Sequence, residues 1–331
     1  MASKTDIEDC GLVRDNSRIE GRHLIITNDF EAFRADSMPL WRPAMKHWAV
    51  CSQKFRLPTS FFVALEDAAA LSHCDGAGYA ALIDGLRDLV GSGAELHPHN
   101  HFLFDPLTGV RPTSENEPVL PDGYTKRLSM FFDVVHRHGL PIGPWLETLR
   151  EIHAKLMSDV GRASPRRLAF RAGGWDYGSS CDELSAYVEG LARAGFAVDS
   201  SACRGRFGTT NWLAETPFGS NVFRLKSGVL EIGPSLHLNC GRDSTWRLLV
   251  DLGLALRRHP GLLRRQDGAL VVVLHFDHLF HEYGPRGAQE NFVVKDFNVV
   301  RGRIDCIFQA LQRLKLMLGL KATTFSEAAV L

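Results

Sequence analysis

Short runs of strand length that are almost entirely apolar recur along this chain, and they limit the folds it can adopt. Residues 270–274 read LVVVL, and residues 23–27 and 61–65 are similar runs. A strand with one face in solvent alternates apolar and polar residues, whereas a strand buried on both faces is apolar throughout. The runs therefore predict a parallel sheet that is covered on both faces.

Segments with helical spacing of apolar residues separate these runs. Helices are predicted at residues 78–90, 146–160, 182–194, 246–258 and 297–318, and further strands at residues 167–170 and 229–232. Strand and helix alternate, and no change in composition marks a domain boundary. The order predicts an α/β fold, a single barrel-like domain over residues 21–331 that follows a polar leader at residues 1–20.

The charge balance excludes some classes of partner. The chain has 38 Lys+Arg and 38 Asp+Glu, a formal net charge of +0, and no element carries a basic stripe. Neither a nucleic acid nor an anionic membrane is therefore expected as a partner, and a small substrate is favoured. The composition predicts nothing about the oligomeric state.

Location and cysteine chemistry are also predicted. Residues 1–20 hold no apolar segment of the kind found in a secretory signal, and no apolar run approaches the roughly 20 residues of a membrane helix, which favours a cytoplasmic protein. The seven cysteines are odd in number and form no C-x-x-C pair. This spacing predicts reduced thiols and argues against a disulfide framework or a zinc ribbon.

Polar side chains of catalytic type follow the predicted strands. They are Asp29 and Glu31 after the first strand, His97, His99 and His101, then Arg171 and Trp175, and finally His275, Asp277 and His278. Parallel α/β folds place active sites at the carboxyl ends of their strands. We therefore expect these strand ends to converge on one site.

The histidine stretch at residues 97–101 is a candidate metal site, because imidazole is the commonest metal-binding side chain. If the segment turns into a helix, His97 and His101 share a face. If it stays extended, all three imidazoles lie on one side. Pro98 disfavours helical geometry at His97, which suits a cap followed by a first turn and favours the pair His97 and His101.

The two acids complete a catalytic set. Asp29 and Glu31 lie on the same side of an extended segment, so one could bind an ion while the other accepts a proton from water. One acid and two imidazoles match catalytic zinc with an open position, although other first-row ions also bind such ligands. The same ligand set occurs in non-haem iron oxygenases, and a sugar-binding protein without activity is a third alternative.

A series of motifs runs from about residue 24 to residue 328 in a fixed order. They are TNDFE at residues 27–31, HPHNH at 97–101, RAGGW at 171–175, VDSS at 198–201, LEI at 230–232, LHFD at 274–277 and TFSEA at 324–328. In this order they resemble the polysaccharide deacetylase family, the NodB-homology carbohydrate esterases. The resemblance implies a distorted (β/α)7-type barrel.

The resemblance also implies roles for individual residues. Asp29 would be the general base and His275 the general acid, and Arg171 would orient Asp29. Glu31, His97 and His101 would hold one divalent ion, most simply Zn²⁺. The chain departs from the family in two places, because Asp-Phe-Glu replaces adjacent aspartates and Pro98 replaces a Ser or Thr.

The predicted function is that of a metal-dependent N-deacetylase acting on an N-acetylated or otherwise N-acylated amino sugar, or on a sugar-containing biosynthetic intermediate. Trp175, Tyr177, His99 and Asp199 are predicted to contact the substrate. The loop at residues 105–122 and the segment at residues 280–291 are expected to carry specificity, since loops at strand ends usually do.

Overall fold

The computed structural model describes residues 10–15, 19–30, 38–100, 141–172, 180–201, 222–238, 245–256, 264, 266–283, 289–293 and 296–329. The strands are β1 (Val13–Asp15), β2 (Arg22–Phe30), β3 (Thr59–Ala64), β4 (Glu95–Asn100), β5 (Ala169–Ala172), β6 (Val198–Asp199), β7 (Val222–Leu225), β8 (Leu230–Ile232), β9 (Leu236–His237), β10 (Gly268–His275), β11 (His281–Tyr283), β12 (Gln289–Val293) and β13 (Lys321–Ala322). The helices are α1 (Met38–Phe55), α2 (Leu65–Cys74), α3 (Gly76–Gly91), α4 (Ile142–Val160), α5 (Cys181–Arg193), α6 (Thr245–Leu256), α7 (Phe297–Leu318) and α8 (Phe325–Ala328), with a 3₁₀ helix at Asp277–Phe280.

One large sheet organises these elements. Its order is β1-β7-β8-β6-β5-β4-β3-β2-β10-β9, with β13 beside β2. Every neighbouring pair from β8 to β9 is parallel, and within this sheet β7 pairs antiparallel with β1 and with β8. Strands β11 and β12 form a separate antiparallel pair. The predicted parallel α/β fold is confirmed, and the nine parallel strands, β13 included, point their carboxyl ends in the same direction.

The apolar runs are explained by two cores, one on each face of the sheet. Ile26 and Phe61 belong to the core beneath the helices. Their neighbours Ile25 and Phe62 point the other way, into a second core on the inner face. Because successive side chains of a strand point to opposite faces, a strand that serves both cores has to be apolar throughout.

The amino-terminal end of the sheet is closed by α8. Thr324 Oγ1 donates a hydrogen bond to Glu95 Oε1 at 2.9 Å, and the backbone N–H of Ser326 donates to Glu95 Oε2 at 3.2 Å. The Phe325 ring packs edge-on against Phe62, with 5.5 Å between ring centroids. These contacts fill the inner face at this end with protein.

The five predicted helices are confirmed, and α7 has the predicted bounds. The sequence did not predict α1, α2 or α8, and α1 is the longest of these three. Pro43 lies inside it, and proline is the residue type that usually ends a helix. Among the helices that the structure describes, none is long and apolar enough to cross a bilayer.

The prediction of reduced cysteines is wrong for one pair. Cys10 and Cys181 form a disulfide, with a Cα–Cα distance of 5.4 Å across a sequence separation of 171. Pairing over such a separation depends on the tertiary fold and cannot be read from spacing. Disulfides are typical of oxidising compartments, and the cytoplasmic location stays a prediction.

Candidate active site

Strand β4 is extended, so the predicted helical turn at His97 is wrong. Pairing on both sides holds it in the sheet: His97 lies opposite Phe62 of β3, and His99 lies opposite Arg171 of β5. Phe62 in turn lies opposite Asp29 of β2. Since side chains alternate along a strand, His97 and His99 face the same side as Asp29, with His99 nearer the carboxyl end.

Both ring nitrogens of His97 are occupied by protein groups. The backbone N–H of Ala169 donates to Nδ1 at 3.2 Å, so the ring proton is on Nε2, which donates to Glu95 Oε2 at 3.1 Å. Burial alone would raise the pKa of Glu95, but the hydrogen bonds from His97 and Ser326 help to lower it overall. This arrangement does not fit the predicted ligand role of His97, because neither nitrogen has a lone pair left for an ion.

His99 has a different environment. It is buried, and its Nδ1–H donates to the carbonyl oxygen of Arg171 at 2.8 Å. This bond fixes the tautomer in which Nε2 is the acceptor nitrogen. Metal-binding histidines commonly donate their other ring N–H to a backbone carbonyl in this way. The hydrogen bond therefore fits His99 better as a metal ligand than in its predicted substrate contact.

Asp29 and Arg171 form a buried ion pair. Arg171 Nη1 donates to Asp29 Oδ1 and also to Thr27 Oγ1, the latter at 3.1 Å. The remaining guanidinium nitrogens donate to the carbonyl oxygen and hydroxyl of Ser200 at 3.2 and 2.9 Å, and the Phe62 ring lies 4.1 Å from the guanidinium carbon. The cation is fixed on several sides, so it can hold the Asp29 carboxylate in one orientation.

His275 joins this pair from β10, where it lies opposite Asp29 in the sheet register. Its Nε2 is 3.8 Å from Asp29 Oδ2. Its Nδ1 is 2.9 Å from Nε2 of His237, the last residue of β9. Burial, followed by the charges of His275 and His278, holds the pKa of His237 well below its usual value. His237 is therefore neutral beside His275.

Sequence reasoning missed His237. The residue lies on a strand of two residues, which is too short to show a period. The only available signal was a single histidine between leucines in the segment at residues 236–238.

Two groups among the described residues have the side chains and spacing to hold a metal ion. In His237, His275 and His278 the potential ligand atoms lie within 4.8 Å of one another. In this group, however, one nitrogen of His237 and one of His275 already meet at hydrogen-bond distance. The other group is formed by His47, Cys51 and Asp305, on α1 and α7.

Asp199 contacts protein groups at the end of β6. Its Oδ1 accepts hydrogen bonds from Ser201 Oγ at 2.6 Å and from the Tyr187 hydroxyl at 3.2 Å. Ser201 Oγ also accepts the backbone N–H of Ala172 at 2.8 Å. Burial and then the charge of Asp199 raise the pKa of Tyr187 well above its usual value. These contacts stabilise neighbouring strand ends and do not support the predicted substrate contact.

The remaining predicted site residues lie outside the described residues. They are Glu31, His101, Trp175 and Tyr177, together with the loop at residues 105–122. Of the predicted set, the structure places Arg171 and His275 on the two carboxylate oxygens of Asp29, with His99 on the same face of the sheet.

No family model matches the sequence, and the comparison with curated proteins gives no match. Among solved structures, a Mycobacterium smegmatis protein assigned as a polysaccharide deacetylase matches with a TM-score of 0.50 at 14% identity, over 95% of this chain and 91% of that one. The chain has the fold of this deacetylase. The predicted barrel-like fold class is thereby confirmed.

Two further solved structures match with lower TM-scores. The catalytic domain of a peptidoglycan N-acetylglucosamine deacetylase from Eubacterium rectale matches with a TM-score of 0.41 at 12% identity, over 94% of this chain and 93% of that one. A family 4 carbohydrate esterase from Streptomyces lividans, in complex with acetate, gives 0.37 at 11% identity over 89% and 90%. At these identities a likeness concerns the fold, so the activity of this chain has to be argued from its own site.

Proposed function

We propose that the protein is a metal-dependent hydrolase that removes an acetyl or other acyl group from the nitrogen of an amino sugar. One observation carries the proposal: Asp29 lies between Arg171, on one carboxylate oxygen, and His275, whose Nε2 is 3.8 Å from the other. A carboxylate and an imidazole placed together at the carboxyl ends of parallel strands are suited to act as the base and the acid of amide hydrolysis. The deacetylase fold is consistent with this reaction.

Asp29 is the proposed general base. Its Oδ1 accepts the hydrogen bond from Arg171, so the two oxygens are not equivalent. Oδ2 faces His275 and is the atom that takes the proton of the attacking water. Arg171 holds the carboxylate in place and stabilises its negative charge through a charge-assisted hydrogen bond.

His275 is the proposed general acid, and His237 is its positioning residue. Protonated His275 carries a hydrogen on both nitrogens, and its Nδ1–H can donate to Nε2 of His237 across the observed 2.9 Å. His237 accepts this bond because its lowered pKa keeps it neutral. Nε2 of His275 then points towards Asp29 and can give its proton to the departing amine.

The described part of the site fits a divalent ion through His99, whose Nδ1–H is held by the Arg171 carbonyl. His99 would hold the ion together with Glu31 and His101, in place of the predicted pair of His97 and His101. When bound, the ion supplies Lewis-acid chemistry, because it polarises the acyl carbonyl and lowers the pKa of a bound water to about 7 for Zn²⁺.

The test is hydrolysis of a panel of N-acetyl and N-formyl amino sugars by the Zn²⁺-loaded protein, followed by mass spectrometry for loss of the acyl group. Asp29→Asn and His275→Ala should each lower kcat by about 100-fold or more while the zinc content is unchanged. Asp182→Asn, an exposed acid in the first turn of α5, is the matched control and should be fully active.

If no compound in the panel loses its acyl group, the proposal is wrong. Oxygen uptake that requires Fe(II) would favour an oxygenase instead. Sugar binding that is unchanged in both variants, without turnover, would favour a binding protein.

A further inference from the structure

A cluster of three metal-binding side chains lies outside the candidate active site, where α1 packs against α7. His47 Nε2 is 2.9 Å from Asp305 Oδ1, and Cys51 Sγ is 3.4 Å from the same oxygen. Cys51 Sγ and His47 Nε2 are 3.5 Å apart. An imidazole nitrogen, a thiol sulfur and a carboxylate oxygen therefore meet at one point.

The two helices hold this cluster in place. His47 and Cys51 are four residues apart on α1, so they lie on one face of that helix, and Asp305 approaches from α7. Immediately beside them Trp48 packs edge-on against Phe308 of α7, with ring centroids 5.0 Å apart. The cluster is therefore anchored on both helices by buried aromatic packing.

The spacing is close to what a tetrahedral ion requires. Zinc bonds of about 2.0–2.3 Å to nitrogen, oxygen and sulfur place the ligand atoms about 3.3–3.8 Å from one another. The two separations that involve Cys51 fall in this range, and the separation between His47 and Asp305 is a few tenths of an ångström shorter. We infer that His47, Cys51 and Asp305 form a second divalent-metal site, of the zinc class, that links α1 to α7.

The cluster is partly exposed to solvent, so an ion can reach it. The side chains of His47 and Asp305 are 17% and 40% exposed, whereas Cys51 is buried. Water can therefore enter and take the fourth position. Lys54 and Arg301 add positive charge nearby and weaken the attraction for a cation without occupying the cluster.

Without an ion the cluster is held by hydrogen bonds. Burial, followed by the hydrogen bond to Asp305, raises the pKa of Cys51 to about 12, so its sulfur carries a proton. A bound ion displaces that proton, because a coordinating thiol is deprotonated. A stable cluster of hydrogen bonds alone is the competing account, and it predicts no bond between Cys51 and a metal.

A titration of the full-length protein with Co²⁺ separates the two accounts, because a thiolate ligand gives a sulfur-to-cobalt charge-transfer band in the near ultraviolet. The proposed catalytic ligands Glu31, His99 and His101 contain no sulfur, so this band does not report on the catalytic ion. We expect the band in the wild type, its replacement on addition of Zn²⁺, and its absence in Cys51→Ser. Asp305→Asn should weaken Co²⁺ binding by about 10-fold or more.

Cys306→Ser is the matched control, since Cys306 is a cysteine outside the disulfide and adjoins Asp305. It should keep the band. A wild type without the band, or a band that persists in Cys51→Ser, would overturn the inference. Zn²⁺ should also raise the Tm of the wild type more than that of Cys51→Ser, as for any ligand that binds only the folded state.

Discussion

The two ends of β4 show how one strand can use the same residue type for different purposes. His97 and His99 are two residues apart and face the same side of the sheet. Towards the amino-terminal end, His97 engages Glu95 and the backbone N–H of Ala169. Towards the carboxyl end, His99 engages the Arg171 carbonyl through one nitrogen, next to the proposed catalytic pair. The position of a histidine along the strand therefore decides whether it contacts structural groups or lies beside the proposed catalytic pair.

The largest effect is expected from the ion pair at the carboxyl end. Arg171→Met leaves Asp29 buried without its cation, which should lower the free energy of unfolding by about 3–5 kcal/mol and remove activity. Denaturant unfolding measures the first effect. The double variant Asp29→Asn/Arg171→Met removes both charges and should regain part of that stability. A double variant no more stable than Arg171→Met would show that the pair is not electrostatically coupled.

Separate substitutions of His99 and His97 test this comparison directly. His99→Ala should lower the affinity for Zn²⁺ by about 100-fold or more, because it removes a proposed ligand. His97→Gln should leave zinc affinity almost unchanged but lower the free energy of unfolding by about 1–3 kcal/mol, because buried hydrogen bonds are lost. Chelator competition and denaturant unfolding measure these effects. The reverse pattern would support His97 and His101 as the two histidine ligands of the ion.

A third histidine, His153 of α4, contacts the backbone of β4 and should control stability in acid. His153 Nε2 donates to the Leu96 carbonyl at 3.1 Å, and burial lowers the pKa of His153 to about 3. In the unfolded chain its pKa is about 6.5, so the unfolded state binds the proton first as the pH falls. The folded state should therefore lose about 1.4 kcal/mol per pH unit below about pH 6.5 through this residue.

His153→Gln keeps a donor for the Leu96 carbonyl but does not titrate. Unfolding measured between pH 7 and pH 5 should show a shallower loss of stability for this variant than for the wild type. Equal slopes would mean that His153 is not buried in its neutral form.

A smaller effect is expected at His237, which contacts the proposed general acid His275 without a proposed step of its own. His237→Ala should lower kcat by about 10-fold and move the alkaline limb of the kcat/KM profile to lower pH, because protonated His275 loses its acceptor. His237→Gln, whose carbonyl oxygen can accept a hydrogen bond, should restore most of the profile. If His237→Ala keeps the normal pH dependence and is only less stable, the role of His237 is purely structural.

The smallest effect is expected at the closed end. Thr324 caps α8 in a capping box with Glu327 and also donates to Glu95. Thr324→Ala should lower the free energy of unfolding by about 1 kcal/mol. Because α8 lies at the end away from Asp29 and His275, kcat should not change. A lower kcat at full stability would mean that the two ends are coupled.

The sequence predicted the sheet and most helices because apolar runs and helical spacing are local signals. It also predicted that Asp29, Arg171 and His275 meet, since parallel strands bring their carboxyl ends to one edge. The turn at His97 was wrong because the local preference around Pro98 was weaker than the pairing of β4 with β3 and β5. Tertiary pairing overrode a local rule at this point.

Features that depend on distant residues could not be predicted. His237 reaches His275 only because β9 adds to the edge of the sheet beside β10. The cluster of His47, Cys51 and Asp305 requires α1 and α7 to pack together, and its members are up to 258 residues apart. Neither arrangement leaves a periodic trace in the sequence.

The bond between Cys10 and Cys181 closes a covalent ring that contains the five strands β1 to β5. A ring of this length lowers the conformational entropy of the unfolded chain. In the chain-entropy model this stabilises the folded state by about 5 kcal/mol. A single cut in the backbone between these two cysteines therefore opens the ring but leaves the protein in one covalent piece. Under oxidising conditions the backbone can therefore be cleaved once between Cys10 and Cys181 without release of a fragment.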